Sequence, residues 1–259
     1  MPHVDNDFII YGFERSSINR PVVVTIGSFD GVHSGHRILL KQVRAMAETL
    51  GAASVVVTFD PHPRIAMGRG EGMGLITTLE ERAYLLRREG IDHMVVATFD
   101  EAFRQQHYAD FVGESLVSGL GMRGMIVGYN HRLGRGSEGS YETLKPLSEQ
   151  YGFALECVSQ HTLEGTKVSS TVVRGAISEG DMTRVGELLG RPYIVAGRAV
   201  EGIINVESKD KLLPPDGIYR VEVEASRSSE RVVTTATVTS HRIWLNTPIS
   251  DAVVLHFVR

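Results

Sequence analysis

His33 and His36 stand three residues apart, just after a glycine-rich turn, Gly27-Ser28-Phe29-Asp30-Gly31, and at the entry to an amphipathic run over residues 37–50. The β-branched run 22–26 ahead of them predicts a buried strand, and the run behind them predicts a helix. Strand, turn and helix N-terminus together aim free backbone N–H groups and the positive end of a helix dipole at one point, which suits an anion. At a spacing of three, both imidazoles share a helix face and project beside that anion. A phosphate between two imidazoles suggests nucleotide chemistry. A glycine-rich turn with two surface histidines is the plainer alternative.

Three further stretches carry residues of the right types. In Phe59-Asp60-Pro61-His62-Pro63-Arg64 two prolines stiffen a turn that holds His62 at a strand end. An incidental histidine in a rigid loop is the alternative there. A metal site from His33, His36 and His62 is a rival, without any pattern of outer hydrogen-bond partners to support it. In the run 127–136, glycines let a backbone approach a ligand, and Asn130 both donates and accepts hydrogen bonds. Arg132 and Arg135 are either phosphate contacts or solvated loop charges. In the run 167–174, Ser169, Ser170 and Thr171 read as ordinary N-caps or, with free N–H groups and Arg174, as a phosphate clamp.

The elements that must position these residues alternate. Short apolar runs at 22–26, 54–59, 93–98, 125–127 and 154–158 predict strands. Helical periodicity marks 37–50, 79–89, 108–120 and 141–151, with Thr78 and Glu81 as a capping box and Gly90, Gly121 and Gly152 where C-caps belong. Such alternation argues for an α/β domain with an open, Rossmann-like parallel sheet, which binds ligands at the carboxyl ends of its strands. Gly68 to Gly74 reads as a mobile loop near those ends. After helices expected at 170–179 and 182–189, the pattern turns to strands at 193–200, 218–225, 232–239, 242–245 and 252–258. These predict a small antiparallel β-barrel. We expect a first domain over 1–186 and a second over 187–259.

Composition bounds the partners. The 259 residues carry a formal net charge of -4, which argues against bulk binding of nucleic acid. Cys157 is the only cysteine, so no intramolecular disulfide or multi-cysteine zinc site exists, and its alternating apolar run predicts a buried small hydrophobe. No apolar run approaches a membrane span, and residues 1–7 do not resemble a signal peptide; a cytoplasmic protein is expected. Oligomeric state is not legible.

The turn also resembles a known signature. Gly27-Ser28-Phe29-Asp30-Gly31-Val32-His33-Ser34-Gly35-His36 is similar to the GxFDGVHxGH form of the nucleotidyltransferase HxGH motif, as found in prokaryotic FAD synthetases. Residues 58–64 resemble that family's TFDPHP block, residues 127–134 its VGxDF/NFxFG block, and Ser169 to Arg174 its SSTxxR block. The departures are His131, Leu133 and Val172, where the family commonly has an aromatic, Phe and Arg. The resemblance runs from about Val22 to Gly202. It implies transfer of adenylyl from ATP to FMN, with Mg²⁺ bound through ATP oxygens and no protein metal ligand assigned. It implies His33, His36 and Arg174 as catalytic. Gly27, Ser28, Phe29, Asp30, Gly35, Ser170 and Thr171 would bind nucleotide. His62, Asn130, Arg132 and Arg135 would line the flavin or nucleotide pocket.

In the bifunctional members a riboflavin kinase barrel follows, marked by a GRxLGFPTAN-like stretch. Here Gly197-Arg198-Ala199-Val200-Glu201-Gly202 runs straight into Ile203-Ile204-Asn205-Val206-Glu207-Ser208-Lys209, without a PTAN turn. Glu222, Glu224 and Glu230 do not align with the catalytic glutamate. We therefore expect a shortened, degenerate kinase barrel. The alternatives are nucleotidyl transfer to another small phosphate ester, and a non-catalytic flavin- or nucleotide-binding protein.

Overall fold

β-Branched and aliphatic runs build the first sheet, with β2 at its centre because all five of its residues are buried. The strands are β1 (Ile9–Tyr11), β2 (Val22–Ile26), β3 (Ala53–Asp60), β4 (His93–Thr98), β5 (Met122–Gly128) and β6 (Ala154–Val158). All pair in parallel, in the order β1-β4-β3-β2-β5-β6. The structure, a computed structural model, describes residues 7–14, 18–70, 72–159, 162–163, 166–206, 208–228 and 230–258. The opening residues 1–6, and Glu207 of the run after Gly202, lie outside them. The helices of this half are α1 (Ser34–Thr49), α2 (Pro63–Ala66), α3 (Leu79–Arg88), α4 (Glu101–Gln105), α5 (Tyr108–Asp110) and α6 (Tyr141–Tyr151).

Helix α1 follows from its apolar spacing: Leu39, Leu40, Val43, Met46 and Ala47 are buried against β2, β3 and β5. Each larger side chain contributes about 1.5–3 kcal/mol by leaving water. The Thr78–Glu81 capping box starts α3 as its sequence predicts. The helix expected over 108–120 is instead α5 followed by a π-helical stretch, Phe111–Gly119. There the ladder slips by one residue: Leu120 N–H donates to Ser115 O at 3.0 Å, five residues back.

One other expectation is corrected. Cys157 is exposed rather than buried, because β6 is the edge strand and its faces are only partly covered. Within the segment Gly68 to Gly74, Gly68, Arg69 and Gly72 are exposed and Gly70, Met73 and Gly74 are partly covered, while Glu71 lies outside the described residues. A Cβ on Gly74 would lie 2.7 Å from that of Leu212.

A short hairpin, β7 (Thr162–Leu163) with β8 (Thr166–Lys167), leads to α7 (Ser170–Ser178) and α8 (Met182–Leu189). The boundary expected at 186–187 falls within α8. Then come β9 (Tyr193–Val200), β10 (Ile203–Asn205), β11 (Gly217–Ala225), β12 (Arg231–Thr239), β13 (Arg242–Leu245) and β14 (Asp251–Phe257), closed into an antiparallel barrel. Its interior shares one apolar cluster with α7, α8 and Ile76. Outside, Ile218, Thr237, Trp244, Ile203 and Val200 form one cross-strand row. Ile194 and Val254 of the barrel join the core beneath α1 and α3, so the two halves are packed together.

Candidate active site

The strand order reverses beside β2: the chain runs outward to β3 and β4 on one side and to β5 and β6 on the other. At such a switch point the loops leaving neighbouring strand ends part and open a crevice. Here the loops are 27–33, after β2, and 129–134, after β5.

The first loop is wound tightly. Phe29, Gly31 and Val32 have φ of 47, 85 and 40°. For Phe29 and Val32 this left-handed backbone costs on the order of 1–3 kcal/mol each and persists only under outside restraint. Gly31 is required as well by contact, since a Cβ there would stand 2.9 Å from Ile76 Cγ2. The restraint is Asp30, whose side chain is fully buried. It accepts from Ile76 N (3.2 Å), Thr77 N (2.8 Å), Thr77 Oγ1 (3.1 Å) and Arg174 Nη2 (2.6 Å). Gly31 N–H donates to Thr77 Oγ1 at 3.0 Å, and Gly31 O accepts from Arg191 Nη2 at 2.7 Å. Ser170 Oγ donates to Asp30 O at 2.9 Å.

The turn delivers the histidine pair. His33 is the N-cap of α1: its Nδ1 accepts from His36 N at 3.3 Å. An accepting Nδ1 places the proton of the neutral ring on Nε2. The two imidazoles stack, with centroids 3.6 Å apart and an interplanar angle of 13°. Burial, then the neighbouring His33 and Arg82, holds the His36 pKa well below the usual imidazole value. His36 is thus neutral at pH 7. Three polar atoms around this crevice, Ser34 Oγ, His36 Nδ1 and His131 Nε2, are shielded from water without a hydrogen-bond partner among the described residues.

Two cavities meet here. The smaller, about 320 Å³, is lined by His33, His36, Asn130, Lys167, Ser169 and Ser170, among others. The larger, about 700 Å³, has an aromatic wall from Phe59, Phe99, Phe103 and Phe111. Arg64, Arg69, Arg104, Arg132 and Arg135 surround it, with His62 at its side. Ile26, Gly27, Ser28 and His131 line both cavities and form the partition between them. The arrangement can hold two anionic ligands side by side, one on the imidazoles and the α1 N-terminus, the other an aromatic one.

The residues singled out in the sequence are thus divided. His33, His36, Gly27, Ser28, Phe29, Gly35, Asn130 and Ser170 surround the smaller cavity, and His62, Arg132 and Arg135 the larger. Asp30, Thr171 and Arg174 line neither. The Arg174 guanidinium is engaged by Asp30 and by Gly74 O, the latter at 2.9 Å from Nε. Sequence reasoning missed Phe99 and Phe103, although they follow the carboxyl end of β4, where such sheets bind ligands. It also missed Ile76 and Thr77, for which no local signal exists. Among the described residues no group of three or more His, Cys, Asp or Glu is placed to hold a metal ion.

Several imidazoles are held neutral by burial. His62, His131 and His256 are each pushed down to about 4, with desolvation the largest cause. Unfolding returns them to the ordinary value of 6.5. Between those values the unfolded chain binds more protons than the folded one. Their contribution to stability is therefore full above roughly pH 6.5 and drains as pH falls toward about 4. Urea midpoints should decline steadily from pH 7 to pH 4.5. A constant midpoint would show that these rings titrate normally.

Comparison with known proteins adds independent information. The FAD synthetase family model matches residues 15–172. A bifunctional riboflavin kinase/FMN adenylyltransferase from Pseudomonas fluorescens is 34% identical over 221 residues, spanning 82% of this chain and 71% of that protein. The protein of that name from Escherichia coli strain K12 is 31% identical over 211 residues, 78% of this chain and 67% of its own. A solved structure described as a macrolide-efflux protein from Streptococcus pneumoniae superposes with a TM-score of 0.80 at 25% identity, covering 96% of this chain and 98% of its own. Among the described residues no helix is long and apolar enough to cross a membrane.

Proposed function

The chain belongs to the FAD synthetase family and is a nucleotidyltransferase with an FMN adenylyltransferase domain, and we propose that it makes FAD and pyrophosphate from ATP and FMN without phosphorylating riboflavin. The observation that carries this reading is the pair of adjoining cavities across one thin partition, one with imidazoles at a helix N-terminus and one with an aromatic wall ringed by arginines. The triphosphate fits the first and the flavin the second, which brings the FMN phosphate and the ATP α-phosphorus together at the partition.

In the proposed step an FMN phosphate oxygen attacks the α-phosphorus in line. The new O–P bond forms as the bond to the bridging oxygen of pyrophosphate breaks. The protein positions both anions and offers donors where charge grows. A neutral His36 suits this task, because a ring N–H donates without adding a charge that would hold the product. Asn130 shapes the pocket around the nucleotide. Mg²⁺ is proposed to enter on the triphosphate, held by its oxygens and by water, since magnesium dehydrates reluctantly. The start of α7 offers the β- and γ-phosphates the backbone N–H of Ser170, whose hydroxyl proton goes to Asp30 O, while Arg174 acts by holding the Asp30 carboxylate.

The absence of kinase activity rests on the sequence of the run 203–209, which opens as strand β10 over Ile203–Asn205 and carries no Thr-Asn pair where the kinase family has its ATP- and Mg²⁺-holding turn. One assay tests both halves. With Mg²⁺ and ATP, FMN should yield FAD and pyrophosphate, whereas riboflavin should yield no FMN above background, an intact bifunctional enzyme serving as control. Nucleotidylation of a different phosphorylated acceptor would overturn the flavin assignment. FMN formed from riboflavin would overturn the loss of the kinase.

A further inference from the structure

Lys211 is among the largest fully buried side chains of the molecule, and the proposed reaction gives it no direct role. It sits in the segment joining β10 to β11. Burial lowers its pKa, but Glu81 lies at 2.5 Å and works in the opposite direction. Its other two donations go to Ile76 O at 2.7 Å and Ile194 O at 2.9 Å. Its Nζ also stands 4.5 Å from the centre of the Tyr193 ring. All three ammonium protons are therefore committed, and none points to a ligand.

What they hold is informative. Glu81 Oε1 accepts from Ala196 N of β9 at 2.8 Å, and Glu81 Oε2 from Thr78 N at 3.0 Å. The segment 75–77 runs alongside Lys211: Leu75 N–H donates to Asp210 O at 2.5 Å, and Leu212 N–H to Leu75 O at 2.8 Å. Ile76 faces both ways. Its carbonyl takes the Lys211 ammonium while its N–H, with that of Thr77, grips the Asp30 carboxylate. The wound turn that presents His33 and His36 is thus tied, one peptide unit removed, to a cation supplied by the barrel half.

We propose that Lys211 is a positioning residue for nucleotidyl transfer, which holds the 75–77 segment against Asp30 and so keeps the 29–32 turn in its strained shape. This rests on the reading above that transfer occurs at that turn. The barrel's part in the reaction is then mechanical, and it is independent of any kinase site.

The test compares Lys211→Met, which keeps the stem and removes the donors, with Leu245→Ala, a cavity in the barrel core whose side chain takes no part in this chain of bonds. Lys211→Met should lower kcat by about ten- to a hundredfold with KM for ATP and FMN roughly unchanged, as for a misplaced reacting group. Hydrogen exchange of the Gly31, Ile76 and Thr77 amides should quicken relative to barrel amides. Leu245→Ala, at a similar loss in melting temperature, should keep kcat within about twofold. A folded Lys211→Met with parental kcat and parental exchange at these amides overturns the proposal. So does an equal loss of kcat in Leu245→Ala. If Lys211→Met does not fold, Glu81→Gln takes its place. If neither folds, exchange in the unaltered protein decides: the Ile76 and Thr77 amides should open only together with Ala196, and a separate, faster opening would overturn the coupling. The exchange readout is independent of acceptor identity, so failure to make FAD would refute the functional reading and leave this one standing.

Discussion

Alanine at position 36 should reduce turnover by about 10²–10³-fold, equivalent to removing one preorganised donor, or about 2.7–4 kcal/mol of transition-state stabilisation. The reasoning is geometric. His36 is half-buried, neutral and stacked on His33 in the smaller cavity, with the α1 N-terminus beside it. An interaction that strengthens only as charge builds on the phosphorus lowers kcat and kcat/KM together. ATP affinity, read by calorimetry, should change far less. His33 needs a second substitution, because His33→Ala also removes the cap of α1 and so costs about 0.5–2 kcal/mol of stability. His33→Asn retains a capping side chain and loses the imidazole. It should fold like the parent and still lose turnover; near-normal turnover would remove that ring from the mechanism.

The largest effect on stability should come from Asp30→Ala. The carboxylate is fully buried and paired with Arg174 at 2.6 Å, with two backbone N–H groups and the Thr77 hydroxyl completing its shell. Removing it strands a guanidinium that is only 14% exposed, together with those donors. Breaking a buried pair from one side costs about 3–5 kcal/mol. For a chain of this length each kcal/mol moves the melting temperature by roughly 2–4 °C, so a fall of roughly 6–20 °C is expected. The turn would also lose its restraint, and FAD formation should vanish even below the melting temperature. A thermal scan showing a parental midpoint would mean that the Asp30 network contributes nothing net.

The sequence made the parts with local signals legible. The strand–turn–helix around His33 and His36, the Thr78–Glu81 capping box and the change from alternating helices and strands to a run of strands each depend on residues a few positions apart. So did the barrel, through its short alternating strands. What stayed hidden depends on distance along the chain. Asp30 reaches Ile76 and Thr77, 46 and 47 residues away, through backbone donors that carry no residue-type signature. Lys211 meets Glu81 across 130 residues, and a lone lysine in a loop reads as solvated until the fold buries it. Arg174 fits a phosphate clamp by charge and by its position on α7, and only the tertiary structure adds that its Nη2 is engaged by Asp30 and its Nε by Gly74 O. Phe99 and Phe103 lacked any periodic pattern, yet the topology brings them to the larger cavity.

Trp244, the only tryptophan, lies on the outside of the barrel, opposite Ile203 and 36% exposed. Intrinsic emission excited in the indole band therefore watches one half of the molecule, while far-ultraviolet dichroism averages over both. Because ion pairs and shared apolar clusters join the halves, denaturation curves recorded by the two signals should superimpose. Their separation along the denaturant axis would locate a seam in what the contacts describe as one cooperative unit.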